Sequence, residues 1–413
     1  MCLEPIKNDP RLLRQRFQAV LQLNGESELR SIPTYQYTQA GGEAQDKGAW
    51  ACKATVESTK PTGDVIKGLK VVLKDNIALA GVPCTNGTKA IDWIPKVDAT
   101  VVTRSLDAGG IVLGKAACEN IAEVLRVEMA DLLLEAIAGT DGIDDRQPYN
   151  HPAGTIKYAD EVAKHMTIED QPLRSIKIGV LEEGFQDPMT DPNVAKASHS
   201  AIESCKTLGA EVKSVHVPLH KDSGALWMII FSMSGTQQGL LSAPTGRRQL
   251  LFPERPEQIG PQLSQQAFDA LGPGGQNIYL RGLFLKDRYG ARLHAHCTNL
   301  SRKLTDAYDA AFRDVDILVM PTVIFPPVKL RTPETPLTPL KMLSRTSGLT
   351  YNTATFNLTG HPALNLPVGF VPAQDDKLVK LPTGLQIVGR KFEDLLCLKV
   401  AASWEKANKW KEL

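Results

Sequence analysis

The chain carries no excess of charge of either sign. Its 47 basic and 46 acidic residues leave a formal net charge of +1. It therefore offers no electrostatic footprint for nucleic acid or for an anionic membrane surface. No uninterrupted apolar run reaches the roughly 18 residues of a membrane-spanning helix. The N-terminal MCLEPIKNDPRLLRQRF lacks the apolar core of a secretory signal. The seven cysteines, at 2, 52, 84, 118, 205, 297 and 397, are odd in number and form no CxxC pair. This excludes a disulfide framework and reads as a reduced, cytoplasmic protein with structural cysteines. No Gly-rich phosphate loop and no metal-ligand spacing appear, so neither a cofactor nor a metal is expected. His294 and His296, two apart, would face different sides of a helix. Internal repeats and low-complexity tracts are also missing.

What is present is ample apolar material in regular punctuation. With 413 residues and 42% hydrophobic content, the chain can bury a large core. Residues 1–60 are polar and mixed, and read as an N-terminal arm with a helix over Asp9 to Leu23; the organised part is expected from near Gly68. Leu69 to Leu73 reads as a buried strand with Lys74 at its end. Gly81-Val82-Pro83 marks a turn. Asp98 should cap a helix running to Ala108, stopped by Gly109. A strand over Ile111 to Leu113 follows, ending at Gly114, and then a helix over Glu128 to Ala138. Ile176 to Val180 and Val212 to Val217 read as strands around an amphipathic helix, Asn193 to Leu208. A helix over Thr298 to Phe312 leads into a strand at Ile317 to Met320. ALNLPVGF, GLQIVGR and a helix near Glu393 to Lys406 close the chain. Strands alternating with helices at this spacing indicate an α/β layer fold.

Three runs resemble the amidase signature family. They are GLKVVLKDNIALAGVPCTNGT with DATVVTRSLDAGGIVLGKAACEN, then LLLEAIAGTDGIDDRQ, and last DVDILVMPT with FNLTGHPALNLPVGF and GLQIVGRKFED. KDN followed by AGVPCTNGT, and GTDGIDDRQ, look most like the branch that hydrolyses simple carboxamides, and less like the amidotransferase subunit that works on charged tRNA. The resemblance implies an α/β fold with a mixed sheet flanked by helices, in one domain over 61–413. It also implies an amidase that turns a carboxylic amide into the acid and ammonia, a small-molecule amide as partner, and room for a homodimer. Catalysis in the family runs through a nucleophile serine, a relay serine and a lysine, the serine–lysine variant of nucleophile-plus-base logic. The matching lysine is Lys74. Burial after Val71, Val72 and Leu73 would favour its neutral form.

The serine block is missing. Between Gly114 and the helix near Glu128 the family carries a Gly/Ser-rich loop of the type GGSSGGS, with both serines and the oxyanion-hole amides. Here the chain runs ACENIAEVLRVEMADLLLEAIAG. On the order of a hundred residues are absent near 120–130, which truncates the fold in its central part and leaves strand edges unpaired. Substitutes are poor. Ser232 and Ser234 in FSMSGTQQG read as a helix-to-loop segment, and Ser347 as a loop. His361 orders a turn, Cys118 is a buried small residue, and Asp75 and Asn76 orient the loop beside Lys74. The expectation is an amidase keeping only its lysine. The alternative is a non-catalytic relative that binds a ligand or partner.

Overall fold

Trp50–Val56 alternates in period two, and its inward residues Cys52, Ala54 and Val56 are buried. This strand, β2, lies upstream of Gly68, so sheet begins earlier than the sequence led us to expect. The computed structural model describes residues 37–39, 49–88, 93–117, 127–144, 147, 151–243, 262–328, 337–345 and 347–412. The helix expected over 9–23 and Cys118 lie outside them. A short strand, β1 (Tyr37–Gln39), pairs antiparallel with β2. Lys70–Lys74 forms β3 and Ile111–Ala116 forms β4, two parallel strands joined by helix α1 (Thr100–Asp107). The first sheet has the order β1-β2-β4-β3. Its inner face packs Leu73, Val112 and the β2 residues against Leu79, Val82 and Leu106.

Asp98 does not cap α1. Its carboxylate accepts from the Ala80 amide at 2.7 Å and pins the 79–82 turn instead, and α1 starts at Ala99 without a side-chain cap. Helix α2 (Val127–Ile137) ends where expected, at Gly139 with a positive φ of 107°. The Arg104 guanidinium of α1 binds this end. It donates to the carbonyls of Ile137 (2.8 Å), Gly139 (2.7 Å) and Thr140 (2.8 Å). These are orphan acceptors of a helix C-terminus, so a cation there is well placed.

The second sheet has the order β6-β5-β7-β9-β8. Strands β5 (Lys177–Leu181), β6 (Glu211–Val215) and β7 (Ile317–Pro321) run parallel, and β8 (Ala363–Pro372) and β9 (Lys380–Gly389) run antiparallel. Strand β7, Ile-Leu-Val-Met-Pro, is buried at every position, as an apolar run covered on both faces should be. On one side Ile317 and Val319 meet Ala201, Ile202 and Trp404, from the helices we name α4 (Pro192–Thr207) and α8 (Asp394–Ala407), with the short α3 (Tyr158–His165) beside them. On the other, Leu318 and Met320 meet Leu304, Tyr308 and Phe356. Those belong to α6 (Pro273–Ala311), two helical stretches that meet at a kink at Gly290 (φ 62°), and to α7 (Thr353–Thr359). The architecture is thus α/β with mixed sheets flanked by helices, as expected, and the described residues form two such sheets. Among the described residues no helix is long and apolar enough to cross a membrane.

A buried polar chain fastens the helical side. Helix α5 (His220–Ser234) opens with His220, which is fully buried. The Asn352 amide donates to the carbonyls of Pro321 (2.6 Å) and Gly184 (3.0 Å), which turns its oxygen toward His220 Nε2 at 2.9 Å. Nε2 therefore carries the proton, and Nδ1 accepts from the Tyr308 hydroxyl at 2.6 Å. Burial holds the His220 imidazole down at about 4 from 6.5, against the opposing pull of the Asn352 hydrogen bond and the nearby Glu183 carboxylate. A folded value below the unfolded one means that acid protonates the unfolded chain first. Stability is therefore full above pH 6.5 and is lost as pH falls through that value toward 4, by about 3 kcal/mol at most. Urea unfolding at pH 7 and pH 4.5 should show this loss in the parent and a smaller one in His220→Gln; equal losses would refute the assignment.

Candidate active site

The carboxyl ends of the parallel strands β3 and β4 come together, with Lys74 opposite Ala116. Ligand sites in α/β sheets form at such ends. The Lys74 side chain stands at the rim and is exposed. The burial expected for it is not there. Alternation explains this: Leu73 is turned into the core, so Lys70, Val72 and Lys74 face outward. Among the described residues no serine hydroxyl hydrogen-bonds the Lys74 ammonium. Ser232 is buried at the end of α5, Ser234 shares a 3.0 Å hydrogen bond with His294 of α6, and Ser347 lies in a turn. His361 is held between the Thr359 hydroxyl (2.9 Å) and the Asp309 carboxylate (3.0 Å), the turn-ordering role expected of it.

The residue after Lys74 organises the rim. Asp75 is buried, and its amide donates to the Ala116 carbonyl at 2.9 Å, locking β3 to β4 past their last pairing. One carboxylate oxygen accepts from the amides of Thr85 (3.2 Å) and Gly87 (3.1 Å) and from the Thr85 hydroxyl. The other faces the Lys115 ammonium at 3.2 Å in an ion pair whose side chains are sealed from solvent (0% and 1% exposed). Lys115 also donates to the Pro83 carbonyl at 2.9 Å, and Cys84 to the Asp75 carbonyl at 3.0 Å. This pair fixes the 83–87 loop beside Lys74. Burial pushes the neighbouring Cys52 thiol up, against the pull of the Lys115 ammonium.

Lys115 does not stand out in the sequence, where it reads as a charge closing a strand. The signal is the glycine before it. Gly114 has a φ of 129°, and a Cβ there would sit 2.4 Å from the Cys52 carbonyl oxygen. Strand β2 slips register against β4 at this point. The irregularity breaks the alternation and turns Lys115 inward; an isolated glycine in a strand is the usual mark of such a bulge.

The amidase family model matches residues 44–126 and 121–398. The chain belongs to the amidase family. Its reaction class is accordingly amide hydrolysis. An enantioselective amidase of Rhodococcus rhodochrous is 25% identical over 468 aligned positions, spanning 90% of this chain and 85% of that protein. A glutamyl-tRNA(Gln) amidotransferase subunit from a Cyanothece species is 24% identical, over 84% of this chain and 85% of its own length. The solved 6-aminohexanoate cyclic dimer hydrolase has the same fold, with a TM-score of 0.64 at 19% identity over 84% of this chain and 86% of that one.

Proposed function

We propose that the protein is an amidase of the simple-carboxamide kind, built to convert a carboxylic amide and water to the acid and ammonia, with Lys74 as the base of a serine–serine–lysine centre. In that chemistry a serine oxygen attacks the amide carbon and its proton passes through the relay serine to Lys74. Ammonia leaves with a proton, and water then releases the acid. The carrying observation is Lys74 in KDN at the carboxyl end of β3, locked to β4 through Asp75.

We further propose that this amino-acid sequence lacks the serine-bearing segment between Asn120 and Glu128. The two matched stretches of the family model meet at 121–126, at that junction. The Rhodococcus alignment supports the size of the gap. Ninety per cent of 413 residues is about 372, so about 96 of the 468 aligned positions face no residue here. Exposure of Lys74 fits the loss of a covering segment. Sequencing the transcript across the codons for Gly114 to Glu128 is the direct test. An in-frame Gly/Ser-rich insert marks an incomplete gene model, whereas an uninterrupted message marks a chain that is made without it. In the second case the exposed Lys74 favours the other reading, a non-catalytic relative that binds a partner.

A further inference from the structure

We infer that the outer edge of β3 is a docking site for an extended, acidic polypeptide segment supplied by another molecule. The inference rests on the reading that the chain is made without its serine block; the transcript decides that reading independently of the binding experiment below.

Among the described residues strand β3 is the last of its sheet and pairs with β4 alone. Among the described residues no strand occupies its other side, so that edge presents backbone donors and acceptors to an incoming strand. Its outward face reads Lys70, Val72, Lys74, all exposed, with Val72 at 42%. Strand β4 sets the partly accessible Ile111 opposite Lys70 and Ala116 opposite Lys74, which extends apolar surface beside each end of the strand. The surface is thus an apolar strip with a cation at each end.

The charges select the occupant. A second copy of this chain added antiparallel about Val72 would set Lys70 against Lys74 of that copy, twice. A parallel copy in register would set each lysine against itself. Like charges directly opposite are destabilising, so β3 repels its own kind. A strand with an acid, a small apolar residue and an acid at alternate positions meets the same face with two opposite-charge pairs and one apolar pair. This holds in either direction, because Lys70 and Lys74 lie symmetrically about Val72.

The test uses the full chain and a fluorescent peptide, Thr-Glu-Thr-Val-Thr-Glu-Thr, followed by anisotropy. Two controls carry lysine in place of glutamate, or N-methyl groups on the residues whose amides would face β3. The acidic peptide is expected to bind at least about tenfold more tightly than the lysine peptide, as two reversed cross-strand charge pairs require. N-methylation should abolish binding, since it removes donors without touching charge. In the K70E/K74E chain the preference should invert. No binding of the acidic peptide, equal affinity for both charge forms, or full binding of the N-methylated form would each overturn the inference. The last needs no altered protein, so misfolding of the double variant cannot mask the answer.

Discussion

The purified 413-residue chain is expected to release no ammonia above background from a panel of small primary amides. Among the described residues no serine hydroxyl hydrogen-bonds Lys74, and on the proposed loss of the serine block no nucleophile is left to form the acyl intermediate. Ammonia is a poor leaving group, and a lysine alone stabilises neither the tetrahedral oxyanion nor its collapse. Groups that act as a unit fail as a unit: in a serine hydrolase, losing the nucleophile alone costs on the order of 10⁶ in turnover. We therefore expect a deficit of about that size relative to the same chain carrying a Gly/Ser-rich family segment between Asn120 and Glu128. Within the restored chain, Lys74→Ala should abolish the gain. A coupled assay for ammonia reads both. Turnover by the unaltered chain that disappears in Lys74→Ala would show that the machinery is complete, and would refute the proposed loss.

Much of the fold can be read from the amino-acid order, because local pattern and tertiary packing agree there. The run KVVLK ends in Lys74 as expected, and the Ile-Leu-Val-Met run of β7 is apolar because both its faces are covered. The failures fall where packing overrides local preference. Helical structure in α6 begins at Pro273 rather than near Thr298 and takes Gly274 and Gly275 into its first turn, whereas Gly290, with a φ of 62°, does break it into two stretches. Its early turns are held by contact with α5 and the turn after it, where Ser232 and Thr236 close against Gly282 with no room for a side chain. There a glycine that costs local propensity admits close helix packing. Trp50–Val56 falls in the stretch that reads as arm, although Cys52, Ala54 and Val56 carry a period-two signal. At the site, Lys74 is legible from its motif. Lys115 is not, because its inward turn depends on a bulge around Gly114 that shows in the pairing of β4 with both β2 and β3.

That buried pair supplies the largest expected effect on stability. Lys115→Met should cost about 3–5 kcal/mol, since it leaves the Asp75 carboxylate uncompensated in a site without solvent. Such a loss is a large share of the roughly 5–15 kcal/mol that holds a domain together. The cost should belong to the orphaned charge rather than to the missing contact. Asp75→Asn in the same chain removes that charge while keeping an oxygen for the Thr85 and Gly87 amides. The double variant should therefore be more stable than Lys115→Met alone, and the coupling between the two sites should exceed about 1.5 kcal/mol, well outside the additive range of independent positions. Unfolding in urea, followed for the parent, both single variants and the double variant, closes this cycle. Strictly additive effects would mean that the two charges do not stabilise each other. The 83–87 loop would then owe its position beside Lys74 to its hydrogen bonds with the Asp75 carboxylate alone.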